Sequence, residues 1–308
     1  MSAASAIPAA RSAGTMFGLE DQTLPGVLSV EAPRAPFVPV VFDSPHSGLD
    51  IPDDFRPAVS AERVRVSADT HVDDLFSAAP DIGAPLLKAH FPRSFLDVNR
   101  SLRDMDVTMV DGVWPHPVRE SPTARRGMGL MWRYAWGNEL MHDRLLSVAE
   151  AEDRIARYWV PYHQTLRTLL DTTYARFGGV YHINCHSMTA VGHAISSDPA
   201  GSGRPDICIG DLYGTSAGPD FVAFIRETLR AEGLSVAINK PFRGAELAEA
   251  YANPVLGRHS VQFEINRRLY MDEETRERTA GYSALKAILT RFSRTLAAYA
   301  VQQVGVAK

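Results

Sequence analysis

The first apolar run that reads as a strand is Phe37-Val38-Pro39-Val40-Val41-Phe42, and it gives way at once to the polar, glycine-containing turn Asp43-Ser44-Pro45-His46-Ser47-Gly48. An apolar run ending in such a turn is how the carboxyl end of a buried strand reads. Asp69 then precedes Val72, Leu75, Phe76 and Ala79 at helical spacing, and Pro80 closes the segment. Residues 84–91 and 94–98 read as strands, the second running into Asn99-Arg100. Residues 103–133 are irregular, with prolines and glycines around the basic pair Arg125-Arg126, and read as a long functional loop. Helices are expected over 136–146 and 148–177; in the second, Ile155, Trp159, Tyr162, Leu166, Leu169 and Leu170 form one stripe and Gly178-Gly179 stops it. A strand over 180–185 runs into His186-Ser187-Met188. The rest reads as strand 206–212, helix 221–231, strand 235–239, strand 260–265 and a closing helix over 272–302. Residues 1–35 lack periodicity and read as a flexible leader, which leaves one domain over 36–308. Alternating strands and helices predict an α/β fold, with a mixed, largely parallel central sheet flanked by helices.

Composition narrows the classes. Of 308 residues, 45% are hydrophobic and 22% charged, which excludes disorder over most of the length. Thirty-two Lys and Arg against 36 Asp and Glu give a net charge of −4, which speaks against a nucleic-acid or anionic-membrane partner. Mean hydropathy is −0.14, and no apolar run reaches the ~18 residues of a membrane span. The Ala- and Ser-rich N-terminus lacks the apolar core of a secretory signal, and Cys185 and Cys208 imply no disulfide framework, so a cytoplasmic protein is expected. There is no glycine-rich phosphate loop, no Gly-x-Ser-x-Gly and no His-Glu-x-x-His. Cys185, inside a strand, reads as a core residue.

Reactive side chains collect where strands are expected to end: His46, Asn99-Arg100, His186 and the run Glu264-Ile265-Asn266-Arg267. Ligand sites of open α/β sheets lie beyond those ends. His46 and His186 are candidate metal ligands, and a catalytic zinc site adds a carboxylate to such a pair and leaves a fourth position for water. Asp69 and Asp73 are the candidates for that carboxylate, with Asp50 an outsider; Asp69 could equally be a helix N-cap. His182 shares a strand face with His186 but lies ~13 Å away, too far to bind the same ion, and reads as structural or supporting. Glu264, in the apolar strand Val261-Gln262-Phe263-Glu264-Ile265, is either an ion-pair partner or a base. Arg93, Arg100, Arg133 and Arg243 lie near these loops, and convergent guanidinium forks would imply an anionic small substrate.

Six ordered motifs carry a resemblance: Ser44-Pro-His46-Ser47-Gly48, Asp69-x-x-x-Asp73, Arg93-Ser-Phe-Leu-Asp97-Val-Asn99-Arg100, Pro161-Tyr162-His163-x-x-Leu166, Asn184-Cys-His186-Ser187-Met188 and Glu264-Ile-Asn266-Arg267. Together, over about residues 37–300, they resemble the N-formylglutamate amidohydrolase family. The resemblance implies a zinc carboxypeptidase-like fold and one zinc per chain, held by His46, His186 and a carboxylate from Asp69 or Asp73. It implies Glu264 as general base, Arg93, Asn99 and Arg100 as substrate binders, and hydrolysis of N-formyl-L-glutamate in histidine breakdown. The carboxypeptidase His-x-x-Glu is absent, Leu49 standing three residues after His46, so the third ligand stays open. The long 103–133 loop and the run Arg243-Gly244-Ala245 are individual to this chain and bear on substrate identity. A metal-dependent amidase for another N-acyl amino acid or small peptide is the first alternative, and a non-catalytic carboxylate-binding protein the second.

Overall fold

A computed structural model describes residues 19–306, apart from 120, 136–137, 194–195 and 197. Eight strands build one sheet: β1 (Gln22–Leu24), β2 (Leu28–Glu31), β3 (Val40–Ser44), β4 (Leu86–Ala89), β5 (Val180–Met188), β6 (Ile207–Gly210), β7 (Val236–Ile238) and β8 (Arg258–Asn266), in the order β1-β2-β4-β3-β5-β8-β6-β7. The centre, β4-β3-β5-β8, is parallel. The β1-β2, β2-β4 and β8-β6 pairings are antiparallel and β6-β7 is parallel again, so the sheet is mixed. The principal helices are α1 (Val72–Leu75), α2 (Val148–Arg154), α3 (Val160–Phe177), α4 (Pro219–Ala231), α5 (Glu246–Tyr251) and α6 (Tyr282–Val306). Among the described residues no helix is long and apolar enough to cross a membrane.

Side chains alternate between the two faces of a strand, and here the alternation divides chemistry. Tyr181, Ile183 and Cys185 of β5 and Val261, Phe263 and Ile265 of β8 join one hydrophobic core with Phe221 and Ile225 of α4 and Leu289 and Phe292 of α6. The intervening residues face the layer of α3 and α5, and they are polar and buried: His182, Asn184 and His186 on β5, and Ser260, Gln262 and Glu264 on β8. The parallel register sets these side by side, with Ser260 opposite His182, Gln262 opposite Asn184 and Glu264 opposite His186. A polar ladder therefore climbs the centre of the sheet and ends in a histidine beside a glutamate.

The foot of that ladder is Asp43 of β3, fully buried. It accepts hydrogen bonds from His182 Nε2 at 2.9 Å, Asn184 Nδ2 at 2.7 Å and the Tyr162 hydroxyl of α3 at 2.8 Å. Burial alone would raise its pKa, but these donors more than offset that and hold it below the ordinary carboxylate value. The His182 Nδ1 is satisfied in turn by Ser260 Oγ at 2.8 Å, which makes His182 a supporting residue.

Several elements differ from the sequence expectation. Residues 1–18 of the expected leader lie outside the described residues, and the part that follows is a β1-β2 hairpin paired to β4, too short for its periodicity to register. Residues 94–98 make turns instead of a strand: the Phe95 N–H bonds Pro92 O, while Phe95, Leu96 and Val98 are buried as anchors. The helix expected over 136–146 is absent from its described part. Asn138 has φ 66°, which a right-handed helix does not accommodate, and Tyr134 bridges Leu140 as in a hairpin. The 148–177 helix forms, but with a π turn at Ile155–Trp159 just before Pro161, whose missing N–H interrupts the α ladder. The closing helix begins at Tyr282, because Asp272 ties the backbone of Glu274 and Thr275 into a turn.

Tyr162→Phe removes one of three donors to a buried carboxylate, and the expected loss is about 2 kcal/mol of unfolding free energy. Denaturant titration checks this; a variant within about 0.5 kcal/mol of the parent would show that Asp43 does not depend on that hydroxyl.

Candidate metal centre and cleft

His46 lies in the turn after β3, and its motif folds tightly for identifiable reasons. Ser44 Oγ lies 2.6 Å from Ser47 Oγ; Ser47 donates to Asp69 O at 3.0 Å and accepts from the Asp73 N–H at 3.2 Å. A Cβ on Gly48 would sit 2.2 Å from the backbone carbonyl carbon of His90, so only glycine lets the two segments meet. The Asp69 N–H donates to His46 O at 2.9 Å, which stitches the loop carrying Asp69 to the loop carrying His46.

Three side chains then converge. His46, Asp69 and His186 are all buried, and one ligand atom from each lies within 4.8 Å of the others. His46 Nδ1 is 3.4 Å and His186 Nδ1 3.1 Å from Asp69 Oδ2. The opposite nitrogen of each ring faces a hydrogen-bond acceptor. His46 Nε2 is 2.8 Å from Asp97 Oδ1, and His186 Nε2 is 2.6 Å from Asn184 Oδ1, the amide turned that way by its bond to Asp43. Burial raises the Asp97 carboxyl pKa, yet Arg93 with both Nε (3.1 Å) and Nη2 (2.8 Å) on Oδ2, together with His46 and Arg100, holds it well below the usual carboxylate range. Burial pushes His186 down to about 4, so the ring is neutral at pH 7. With Nε2 of each ring set against an acceptor, Nδ1 is the nitrogen turned inward toward Asp69 Oδ2. His46 Nδ1 is buried with no hydrogen-bond partner. Two imidazole lone pairs and a carboxylate oxygen facing one another fit a divalent cation and leave a further coordination position open.

Asp69 Oδ1 is held by Arg267 Nη2 at 3.0 Å and by Ser187 Oγ at 3.3 Å. The Asp69 loop precedes α1, whose N-cap is His71 in a left-handed conformation, so Asp69 is not the cap. Asp73, the second residue of α1, stands outside the convergent set. Its carboxyl is raised by burial, with the charge of Lys88 opposing. Asp50 is exposed and also outside it.

Glu264 is buried beside this set, at the end of the polar ladder. Its Oε1 accepts from Gln262 Nε2 at 2.7 Å. Burial, and then the negative charge of Asp69, push its pKa up to about 8. Gln262 is oriented from its other end: Asn99 Oδ1 accepts the Leu247 N–H of α5 at 2.9 Å, which turns Asn99 Nδ2 toward Gln262 Oε1 at 3.3 Å and toward Asn184 Oδ1 at 3.4 Å. Asn99 is thus spent on orientation.

A cleft of about 510 Å³ opens over these groups, lined by Glu264, Asp69, His186, the loop residues Asp104, Ser121, Pro122 and Thr123, and several arginines including Arg126. Arg93, Arg100 and Arg243 are among them. Arg133 is not: its guanidinium bonds Asp106 and Thr108 and borders a separate hollow near His142, because the hairpin that replaces the expected helix carries it away. Arg100 Nε and Nη1 reach only the carbonyls of Met128 (3.2 Å) and Asn99 (3.0 Å). Three contributors had no part in the sequence-based site: Asp97 and Arg267, which stand in two of the quoted motifs, and Gln262, whose signal was a polar residue two before Glu264 in an apolar strand.

Comparison with known proteins shows the family. The N-formylglutamate deformylase of Pseudomonas aeruginosa is 30% identical over 251 residues, 77% of this chain and 84% of that protein, and the Pseudomonas putida enzyme of the same name is 27% identical over 242 residues, 77% of this chain and 83% of that protein. The crystal structure of N-formylglutamate amidohydrolase from Ralstonia eutropha JMP134 superposes with a TM-score of 0.87 at 38% identity, covering 90% of this chain and 99% of that one. Gene product Atu2144 from Agrobacterium tumefaciens shares the fold, with a TM-score of 0.64 at 18% identity over 90% of this chain and 96% of that one. Residues 38–271 match the N-formylglutamate amidohydrolase family, and the chain belongs to that family as a hydrolase of amide C–N bonds.

Proposed function

We propose that this chain is a zinc-dependent N-formylglutamate deformylase, releasing formate and glutamate from N-formyl-L-glutamate in the cytoplasm as part of histidine degradation. The observation that carries this reading is the inward convergence of His46 Nδ1, Asp69 Oδ2 and His186 Nδ1 beside the buried carboxyl of Glu264. His46, Asp69 and His186 would hold the metal. Zinc bound there supplies Lewis acidity, polarising the formyl carbonyl and making hydroxide available near neutral pH.

The chain's own residues do the rest. Gln262 occupies Glu264 Oε1, so Oε2 is the atom that takes the proton of the attacking water and returns it to the leaving amine nitrogen. Without a metal, burial raises that carboxyl to about 8; a dication held beside it would lower the value toward the ionised form that takes the proton. Arg93 is committed to Asp97 and acts through it, holding His46 in its Nε2–H form. Arg100, bonded only to carbonyls, has charge to offer a substrate carboxylate, and Arg243 lies exposed on the lining of the same cleft.

Metal analysis of the purified protein should find about one zinc per chain, and formate release from N-formylglutamate should vanish on chelation and return with added zinc. Zinc with formate release only from other N-formyl or N-acyl amino acids would retain the site and replace the substrate.

Glu264→Gln should keep the zinc and lower kcat by 10²-fold or more; turnover near the parent's would remove Glu264 from the reaction. The same variant has a pH signature in the metal-free protein. The ordinary glutamate value is 4.5 and the folded one about 8, so folding takes up a proton between those values and parent stability falls as pH rises through them. Glu264→Gln lacks this loss, and its melting temperature should exceed the parent's by a margin that widens from pH 5 to pH 8. A constant margin would contradict the raised pKa.

Asp97→Asn removes the charged acceptor that keeps the His46 proton on Nε2. Zinc affinity, read by competition with a chromophoric chelator, should weaken by about 10- to 100-fold. Unchanged affinity would mean that Asp97 serves only Arg93.

A further inference from the structure

Of the seven arginines that line the cleft, Arg243 is exposed and Arg119 lies 3.6 Å from Asp104, and the other five fall into two groups. Arg93, Arg204 and Arg267 are paired at hydrogen-bond distance with Asp97, Asp198 and Asp69. Arg100 and Arg126 have no carboxylate partner among the described residues. Arg100 Nε and Nη1 are bonded to carbonyls; the charges of Asp97 and Asp104 reach it, but neither carboxylate is at ion-pair distance. The Nε of half-buried Arg126 is buried with no hydrogen-bond partner at all. A buried, unbonded guanidinium N–H costs stability unless a ligand supplies the acceptor, and Arg126 has one. Arg100 and Arg126, both without an ion-paired carboxylate, can receive two anionic groups in one cleft.

The loop that presents Arg126 is rigidly attached. Ser121 Oγ accepts the Ala124 N–H and starts the helical turn Pro122–Arg125, which Arg126 closes. Beyond it, Met128 O is held by Arg100, the Leu130 N–H donates to Asp104 O, and Leu130 O accepts the Asp97 N–H. A Cβ on Gly129 would lie 2.4 Å from Asp104 O, so glycine is required for that approach. Arg126 is thereby stationed, not trailing in solvent.

The order of the charges also matters. Arg100 adjoins Asn99, whose Nδ2 is 3.2 Å from His186 Nε2, so Arg100 belongs to the end of the cleft nearest the reacting amide. Arg100 feels the charges of both Arg93, which is bonded to Asp97 beside His46, and Arg126, whereas Asp97 is held by Arg93, His46 and Arg100. In an N-acyl amino acid the α-carboxylate is one bond from the carbon bearing the amide nitrogen, while the side-chain carboxylate of glutamate lies three bonds from it. We propose that Arg126 is the specificity-determining residue of the cleft: it receives the side-chain carboxylate of an N-acyl dicarboxylic amino acid, while Arg100 takes the α-carboxylate. The assignment rests on the amidohydrolase reading above and adds to it the residue that selects an acidic side chain. Arginine suits the task because its fork binds a carboxylate through two N–H groups.

The test compares N-formyl-L-glutamate with its neutral isostere N-formyl-L-glutamine in the zinc-loaded parent, Arg126→Met and Arg126→Lys. The parent should favour the glutamate compound in kcat/KM by about 10- to 100-fold, the range of a charge-assisted hydrogen bond. Arg126→Met should bring the ratio to within about 3-fold of one, mainly through KM, and Arg126→Lys, which keeps the charge without the fork, should fall between. A preference retained in Arg126→Met overturns the assignment. Calorimetric binding of L-glutamate and L-glutamine to the same three proteins provides an arm independent of turnover. If the parent releases formate from neither compound, the reading of the reaction fails, and the binding arm decides the subsite alone. A glutamate preference present in the parent and lost in Arg126→Met supports it; a preference equal in both, or absent from the parent, overturns it.

Discussion

The parallel register between β5 and β8 is the constraint on which the rest of the molecule depends. It sets His186 opposite Glu264, Asn184 opposite Gln262 and His182 opposite Ser260, all on one face, while the apolar residues between them close the other core. A slip of one residue would turn the polar set of one strand into the hydrophobic layer, so the register is enforced by the cost of burying unpartnered polar groups. The same pairing that holds the sheet together therefore positions the His186 ring next to the Glu264 carboxyl at the centre of the sheet.

Amide orientation then carries information along that face. Asp43 can only accept, so Asn184 must present Nδ2 to it and Oδ1 to His186. The Leu247 N–H can only donate, so Asn99 must present Oδ1 to it and Nδ2 to Gln262, which in turn presents Nε2 to Glu264. Two chains of hydrogen bonds, one starting from a carboxylate and one from a backbone N–H, decide which atom of His186 and which oxygen of Glu264 remain for chemistry. Buried networks of this kind are costly when half satisfied and specific when complete. The electrostatics follow the same plan: Asp97 is held ionised by Arg93, Asp69 is paired with Arg267, and Glu264 is left without a salt bridge, so burial can raise it.

The candidate metal ligands and the candidate substrate-facing charges come from different parts of the chain. His46, Asp69, His186 and Glu264 sit on central strands and the turns beside them. The charges that face a substrate come largely from turns and from the 103–133 loop, which carries Arg126 on backbone bonds to Arg100, Asp104 and Asp97. Loops on a rigid scaffold can change specificity without disturbing the site beneath them.

Much of this was legible in the sequence, for reasons that are local. Apolar runs with polar ends located β3, β5 and β8; the 3.6-residue stripe located the helix through Tyr162 and Leu170; and the ordered motifs gave the family and drew attention to His46, His186, Asp69 and Glu264. What failed was also local evidence misapplied. The buried anchors at 94–98 look like a strand because burial, not strand pairing, selects apolar residues there, and Arg133 looked near the site because position along the chain says nothing about which way a hairpin carries a side chain. The choice of Asp69 over Asp73 could not be made from spacing, because it depends on where α1 begins. The orientation of Asn99, which lines the cleft, is set by the Leu247 N–H, 148 residues away. The entry of Arg126 depends on which arginines find a carboxylate in three dimensions. The sequence by itself determined the kinds of groups, their burial pattern and the family, because these follow from side-chain chemistry and short-range period. Only the tertiary structure decided pairing, tautomer and the charges left uncompensated, because each depends on partners brought together across long stretches of chain.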